Sequence, residues 1–201
     1  MTITNGYATR DELKAWKTVS ATTDDAIIDL AVTSASRGID YLSDRAFFQA
    51  AGARVFDTCN QRTVEIDDAV QVTAVATDDN RDGVYETVWS ASDYQPIAPR
   101  SRGIEPWPYT KIRAINRQFP YVEPDSRIHL IQVTAIWGWA TVPAGIKQAC
   151  LILASKLVRR KDSPEGVAGF SEIGAVVRIA KNDPDVMNLI AAYDSTSVLV
   201  G

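Results

Sequence analysis

The sequence predicts an α+β protein in which a small helical core carries an inserted antiparallel sheet. Apolar residues recur at helix-type spacing toward both ends of the 201-residue chain, and short strand-type runs fill its middle, over about 53–138. Apolar residues make up 46% of the chain and charged residues 23%, which is typical of a protein that buries one sizeable core. We therefore expect a single domain, 1–201, with an inserted β-subdomain.

Two helices are predicted before the strands. Thr9 and Glu12 have the spacing of a capping box, which begins a short helix over about 10–17. Hydroxyl and acidic residues at 22–25 begin a second helix over about 23–43. One side of that helix carries small residues, which permit the close approach of another helix. These small residues are Ala31, Ser34, Ala35 and Gly38.

The middle of the chain reads as strands separated by turns. Residues 60–61, the pair Asp67 and Asp68, and the acidic stretch 78–83 are predicted to be turns between successive strands, so we expect a meander. The strongest strand-type run, RIHLIQVTAIWGW, is largely apolar on both faces, as a central strand would be. Trp137 in this run is predicted to anchor the core.

The best-defined helix is predicted over about 144–161. Pro143 precedes it, and Arg159, Arg160 and Lys161 in its last turn complement the unpaired carbonyl groups. Beside its apolar stripe, Leu151 and Ile152 give a second apolar side. We therefore expect the helix to pack on two sides, on its own core and, through those two residues, on a second surface.

The chain after this helix is expected to hold a Gly-rich stretch, a strand and a last helix. Residues 163–175 should be disordered or differently arranged in the free protein and ordered by neighbours, because their glycines are entropically expensive to fix. A strand is predicted at 176–180, and Asp183 with Pro184 begins a helix over about 184–193.

Charge and targeting signals exclude several classes of function. The net charge is -4 and the pI is near 5.0, so the chain has no general electrostatic attraction to nucleic acid. The first residues hold no apolar run preceded by basic residues, and no stretch approaches 18 apolar residues. We therefore expect neither a signal peptide nor a membrane-spanning segment.

The acidic stretch is a candidate calcium site. Asp78, Asn80, Asp82 and Gly83 match the first half of a calcium loop, in which oxygen ligands alternate along a turn. The second half is missing, because Trp89 stands where a bidentate glutamate would be needed, although Glu86 is a possible extra ligand. The alternative is a solvated acidic turn, since the same residues favour tight turns.

No catalytic residue is predicted. The two cysteines, Cys59 and Cys150, have no metal-ligand spacing and form no disulfide framework, which favours reduced, buried thiols. A thiol hydrolase would pair His129, the one histidine, with Cys150, but a thiol within a buried helical stripe has no reason to be ionised. Phosphate-binding, dinucleotide-binding and zinc-protease motifs do not occur, so we do not expect an enzyme.

Candidate partner-binding residues lie in three places. Arg159, Arg160 and Lys161 could contact an acidic partner, although a basic last turn also simply stabilises a helix end. Trp107, between two prolines of a predicted loop, is a candidate interface anchor. The C-terminal tail, 195–201, is expected to add as a strand to a partner's sheet through apolar residues, and the alternative is an ordinary unstructured terminus. These apolar residues are Val198, Leu199 and Val200.

With these patterns in view, the whole chain resembles the head-tail connector proteins, also called adaptor or head-completion proteins, of tailed bacteriophages and phage-like particles. The resemblance runs through TTDDAIIDLAVTSASRGIDYLSDRAF, DDNRDGVYE, PYTKI, WGWATVPAGIKQACLILASKLVRRKDSPEGVAGF and KNDPDVMNLIAAY. The chain departs from the family at Cys150, where a small residue would suffice, and in the long loop 99–110, whose role the family pattern does not fix.

The resemblance implies a structural role in a virion. Family members form a homododecameric ring between the portal protein and a tail-side stopper or tail-terminator protein. The resemblance therefore implies that Leu151 and Ile152 would be ring contacts with a neighbouring copy. DNA would pass through the channel of this ring without sequence-specific binding, and no cofactor or membrane would be involved. The ring would lie at the head-tail interface of a particle assembled in the host cytoplasm. A competing hypothesis is a calcium-dependent binding module that uses the acidic turn.

Overall fold

The chain forms two compact units in a computed structural model. The helical unit combines Met1–Phe48 with Thr141–Gly201, and the strand unit is Gln49–Ala140. The structure describes residues 2–17, 24–57, 60–99, 106–121, 129–160, 173–181 and 183–193. Helices and one antiparallel sheet coexist, so the predicted α+β class is confirmed. Among the described residues, no helix is long and apolar enough to cross a membrane.

The helical unit contains five helices in the described part of the chain. They are α1 (Arg10–Lys17), α2 (Asp25–Ser43), α3 (Ala144–Arg160), α4 (Ile173–Lys181) and α5 (Pro184–Ala191). Four of them confirm predicted helices to within two residues at each end. The predicted capping box is also present: the Thr9 N–H donates to Glu12 Oε2 at 2.8 Å, and the Glu12 N–H donates to Thr9 Oγ1 at 3.2 Å.

Helix α4 corrects the prediction of a strand at 176–180. Val176, Val177 and Ala180 are buried, which is the spacing of one helical side. The two valines are β-branched and favour a strand only weakly, and the packing of α4 against α2 outweighs this preference. Gly38 of α2 makes this packing possible, because a Cβ atom there would lie 2.5 Å from Val176 Cγ1. The small-residue side of α2 is therefore a close-approach surface, as predicted.

Helix α3 occupies the middle of the helical unit, where it contacts α1, α2, α4 and α5. Cys150 and Leu153 are fully buried, and Leu151 is only 9% exposed. The expectation that Leu151 offers a free apolar side is therefore wrong, because the chain itself covers it. Ile152 is half-buried and keeps accessible apolar surface.

Ion pairs between helices predict the acid sensitivity of this unit. Lys147 of α3 donates to Glu12 at 2.8 Å, and Arg10 donates through Nε and Nη2 to both oxygens of the buried Asp29. The Lys147 hydrogen bond lowers the pKa of Glu12, and the Arg10 hydrogen bond lowers the pKa of Asp29. Burial raises the pKa of Asp40. Protonation of Asp40 at low pH therefore favours the folded state and offsets part of the stability that the protonation of Glu12 and Asp29 removes.

We expect the free energy of unfolding to fall as the pH drops below about 4, the ordinary carboxyl pKa. A carboxyl whose pKa is lower in the folded state stabilises the fold above that pH, and the stabilisation is lost as the pH falls through the folded-state pKa. Urea unfolding at pH 6 and pH 3 measures the loss. The Glu12→Gln variant, which cannot titrate at this position, should lose less stability than the parent between these two values; an equal loss would contradict the assignment.

The described residues of the strand unit form a six-stranded antiparallel sheet. Its strands are β1 (Ala50–Phe56), β2 (Thr63–Thr77), β3 (Thr87–Val88), β4 (Tyr94–Ile97), β5 (Tyr109–Ala114) and β6 (Ile131–Trp137). The order is β1-β6-β2-β5-β4, with β3 paired to β2. The predicted meander is therefore wrong, because β6 lies between β1 and β2. The predicted central position of β6 is confirmed, and Trp137 is a core residue, 2% exposed.

Strand β2 is continuous where the sequence predicts a turn at Asp67 and Asp68. The register shifts at this point, and β2 changes from pairing with β5 to pairing with β6. Asp68 is satisfied there, since its main-chain oxygen accepts from the Gly138 N–H at 2.7 Å and its Oδ2 accepts from Trp139 Nε1 at 2.9 Å. An irregularity in the strand therefore accommodates the polar pair without ending the strand.

Candidate interaction sites

The acidic turn, residues 78–83, connects β2 to β3 and is organised by one buried carboxylate. Asp78 is 1% exposed. Its Oδ1 accepts from the N–H groups of Arg81 at 2.6 Å and Asp82 at 3.3 Å, and its Oδ2 accepts from the Gly83 N–H at 2.8 Å. Positive φ angles at Arg81 (65°) and Gly83 (88°) aim these amides inward. The predicted turn is confirmed, with Asp78 at its centre.

Three carboxylates converge at this turn. One oxygen from each of Asp78, Asp82 and Glu86 lies within 4.8 Å of the others. The side chain of Asn80, a predicted ligand, is instead engaged with Asp82: its Nδ2 donates to Asp82 Oδ2 at 3.2 Å and its Oδ1 accepts from the Asp82 N–H at 3.1 Å. Carboxylate oxygens suit Ca²⁺, so the donor set fits the ion. Calcium binding stays a prediction.

Calcium binding should raise the thermal midpoint of the protein in the presence of millimolar CaCl₂, because an ion that binds only the folded state stabilises it. Replacing Asp82 and Glu86 with Asn and Gln should abolish the rise. Glu65→Gln, at an exposed carboxylate of the same unit that pairs with Lys111, is the matched control and should keep it. An unchanged thermal midpoint of the parent protein in CaCl₂ would contradict calcium binding at the acidic turn.

Trp107 is half-buried in the strand unit, where it packs on another tryptophan. Its ring centroid lies 5.1 Å from that of Trp139, which is 2% exposed. Part of the Trp107 ring is therefore buried within the strand unit. Contact of the remaining surface with a partner stays a prediction.

The other predicted contact residues lie on α3 and at the C-terminus. Ile152 is half-buried and Arg159 is exposed on α3. The remaining predicted contact residues lie outside the described part of the chain. They are the Arg160 side chain, Lys161, most of the stretch 163–175, and the tail with Val198, Leu199 and Val200. Residues 173–175 belong to α4.

Cys150 does not have the properties of a nucleophile. It is fully buried on α3, its Sγ lies 3.5 Å from Ser36 Oγ, and burial raises the pKa of the thiol to about 11. His129 is exposed in the strand unit, with Nδ1 3.4 Å from Asp57 Oδ2. The buried-thiol interpretation of Cys150 is confirmed, and the raised pKa disfavours a thiolate at neutral pH. Cys59 lies outside the described residues.

The sequence analysis does not identify an aromatic junction formed by the buried Tyr7 and Phe47 and the half-buried Tyr193. Tyr7 and Phe47 meet edge to face, with ring centroids 5.6 Å apart at 87°, and Phe47 and Tyr193 meet in the same way at 5.8 Å and 88°. The Tyr7 hydroxyl donates to Asp40 and accepts from the Phe47 N–H at 2.9 Å. Burial raises the pKa of Tyr7, so the hydroxyl stays protonated. These residues are far apart in sequence, and no local pattern connects them.

Comparisons with known proteins show where this fold occurs. No family model matches the sequence, and no curated protein matches it. A chain in the neck of an empty GTA particle, computed with C6 symmetry, is similar at a TM-score of 0.62 and 17% identity, over 100% of this chain and 96% of that one. A chain in the neck of the native GTA particle, computed with C12 symmetry, is similar at 0.56 and 15% identity, with the same coverage. A chain in the virion of the native gene transfer agent is similar at 0.56 and 18% identity, also over 100% and 96%. At these identities the likeness shows a shared fold along the full length of the chain.

Proposed function

We propose that the chain is a structural protein of the neck of a phage-like particle, where it forms an adaptor ring between the portal and the tail. The observation that carries the proposal is the likeness to neck chains over 100% of this chain and 96% of those chains. A match that includes both the helical and the strand unit is more informative than a match of one common module. The ring would form part of the channel through which DNA leaves the head.

The ring is proposed to be a cyclic homo-oligomer, with twelve copies as the expected number. Two neck structures with this fold were computed with C6 and C12 symmetry. Closed cyclic symmetry above two-fold needs two different contact surfaces on each copy. Ile152 on α3, which keeps exposed apolar area, is the candidate residue for one of them.

A non-catalytic role agrees with the chemistry of the described residues. The buried Cys150 thiol has a raised pKa, and His129 is exposed and faces Asp57. The net charge of -4 would also let DNA pass without binding tightly, because retention of DNA depends on neutralising its phosphates with basic residues.

Loss of the protein from the producing strain tests the role directly. Without it, DNA-filled heads should accumulate without attached tails, and plasmid-encoded protein should restore tailed particles. Complementation with Tyr41→Leu, a change at an exposed helix position, is the control for expression. Symmetry-free images of the neck should then show a ring of this protein. Normal tailed particles in the deletion strain would overturn the proposal.

The tail, 195–201, is proposed to attach the ring to the portal protein. The test is a chain that ends at residue 194. This truncated protein should fold with an unchanged thermal midpoint and yet fail to attach to portal-bearing heads. Normal attachment would rule out the tail as the portal contact, and a lowered midpoint would assign it to the fold of the protein itself.

A calcium-dependent binding module is the second candidate function, favoured by the three converging carboxylates of the acidic turn. The two functions differ in how assembly responds to a chelator. A ring held by protein contacts should keep its mass in solution and in the particle when EDTA is added, whereas a calcium-dependent contact should dissociate.

A further inference from the structure

Strand β1 forms one edge of the sheet and, in the described part of the chain, pairs only with β6. The direction of its main-chain groups follows from the other side of β6. The Asp78 N–H donates to the Leu130 carbonyl at 3.0 Å, and the Gly138 N–H donates to the Asp68 carbonyl at 2.7 Å. Even-numbered positions along β6 therefore bond to β2, and odd-numbered ones bond to β1. Every second residue of β1 is then left with its N–H and C=O groups directed away from the sheet. These outward residues are Ala51, Ala53 and Val55.

The outward edge of β1 is exposed and carries no protecting residue. All three outward residues are exposed, and Val55 is 42% exposed. Gly52, which consists of main chain alone, is exposed as well, and beyond its chain neighbours no described atom lies within 4 Å of the position of a Cβ. Edge strands usually carry a proline, a charge or a bulge that prevents further pairing. The outward residues of β1 are small or apolar, and its pairing with β6 is regular, so this edge can accept another strand.

The opposite edge of the sheet, β4, is protected. The Ile115 N–H donates to the Asp93 carbonyl at 2.9 Å, so residues 95 and 97 bond to β5 in the alternating pattern. Tyr94 and Pro96 therefore face outward. Because proline has no N–H group, this edge lacks a donor at one of its two outward positions. The difference between the two edges indicates that β1 is the edge available for pairing.

We propose that two copies of the chain pair through β1, antiparallel, about a two-fold axis at Ala53. In this register Ala53 faces Ala53 of the other copy, and Ala51 faces Val55. It is the antiparallel register in which all three outward residues of both copies are paired, with two hydrogen bonds in each pair. The two sheets then form one continuous sheet across the axis.

Side chains beside the axis are compatible with this register. Gly52 faces Arg54 of the other copy, and the open space at Gly52 leaves room for that side chain. The Arg54 guanidinium lies over the Trp137 ring, 4.7 Å from its centroid, and Nη1 is 2.6 Å from Asp67 Oδ2. Its charge is therefore balanced within its own chain. Arg54 is the one charged residue of β1, so no unbalanced charges of the strand are brought together.

The contact is expected to be weak and distinct from a ring contact. One strand edge of seven residues buries less than the roughly 1,200 Å² of a stable interface, so dimers should form at high protein concentration. A ring needs two different surfaces on each copy, whereas this contact joins the same surface on both copies. The inference is therefore independent of the proposed place in a particle.

A charge-reversal experiment on the free full-length protein tests the pairing. Sedimentation from micromolar to near-millimolar concentration should show a shift from monomer to dimer. Ala53→Lys and Ala53→Glu each place like charges directly opposite one another and should weaken the dimer about fivefold. An equimolar mixture of the two variants should associate again, because opposite charges then face each other. The same two changes at Val88, which is 67% exposed on β3, are the matched control and should leave the dimer unaffected.

Amide hydrogen exchange provides a second measurement. Exchange of the Ala51, Ala53 and Val55 amides should slow as the concentration of the parent protein rises, while the Gly52 and Arg54 amides, which already bond to β6, should change little. A parent protein that stays monomeric over the whole range would overturn the proposal. A dimer that is equally stable in the Ala53 variants would use other surfaces and would overturn it too. Failure of the mixture to associate would rule out the register centred on Ala53.

Discussion

Replacing Leu153 with alanine should lower the free energy of unfolding by about 2–5 kcal/mol, the range for a large side chain removed from a packed core. Leu153 is fully buried on α3, and its Cδ2 lies 3.8 Å from the position of a Cβ on Gly38. Helices α2 and α3 meet closely here, so the structure cannot easily collapse into the cavity. Urea unfolding followed by helical circular dichroism measures the change.

The neighbouring residue provides the control. Ile152→Ala changes a half-buried position on the same helix and should cost clearly less stability than Leu153→Ala. If Ile152 is a ring contact, this variant should instead weaken assembly while the free protein stays folded. Equal losses of stability for the two variants would contradict the assignment of Leu153 to the core and of Ile152 to the partly exposed side of α3.

Replacing Asp78 with alanine should cost about 2 kcal/mol, because three main-chain N–H groups lose their acceptor at once. Arg81, Asp82 and Gly83 are exposed residues, so in the variant their N–H groups can hydrogen-bond to water. The cost therefore stays below that of three buried donors left without an acceptor. Exchange of the Arg81 and Gly83 amides, measured by NMR, should increase the most. Asp79→Ala, at an exposed carboxylate that accepts a hydrogen bond from the Thr87 hydroxyl at 2.8 Å, should cost much less.

Local signals in the sequence predict the helices well. Thr9 with Glu12, and Asp183 with Pro184, mark helix starts that the structure confirms, because a cap depends only on residues within one turn. The same local signals fail where distant contacts decide. Val176 forms part of a helix in which it packs on Gly38 of α2. Asp68 continues a strand because Gly138 and Trp139, distant in sequence, donate hydrogen bonds to it.

Strand order and the candidate sites show the same limit. Nothing in the residues near β1 or β2 specifies that β6 lies between them. The acidic turn was identifiable because its residues are consecutive. In the structure Glu86, the possible extra ligand, lies with Asp78 and Asp82, and the Asn80 side chain hydrogen-bonds to Asp82. The aromatic junction was not identifiable, since Tyr7, Phe47 and Tyr193 are brought together only by the complete fold.

The helical unit is built from two segments of the chain that the strand unit separates, and this determines the order in which a newly synthesised chain can fold. Helix α2 ends at Ser43, and its principal partner α3 begins at Ala144, so the ribosome must add roughly 100 residues between them, which takes about 5–20 s. During that time the buried side of α2, including Ile28, Val32 and Ile39, can contact α1 but lacks its principal partner. The strand unit is synthesised complete before α3 begins. The sheet can therefore form first, and α2 completes its packing after α3 has been synthesised.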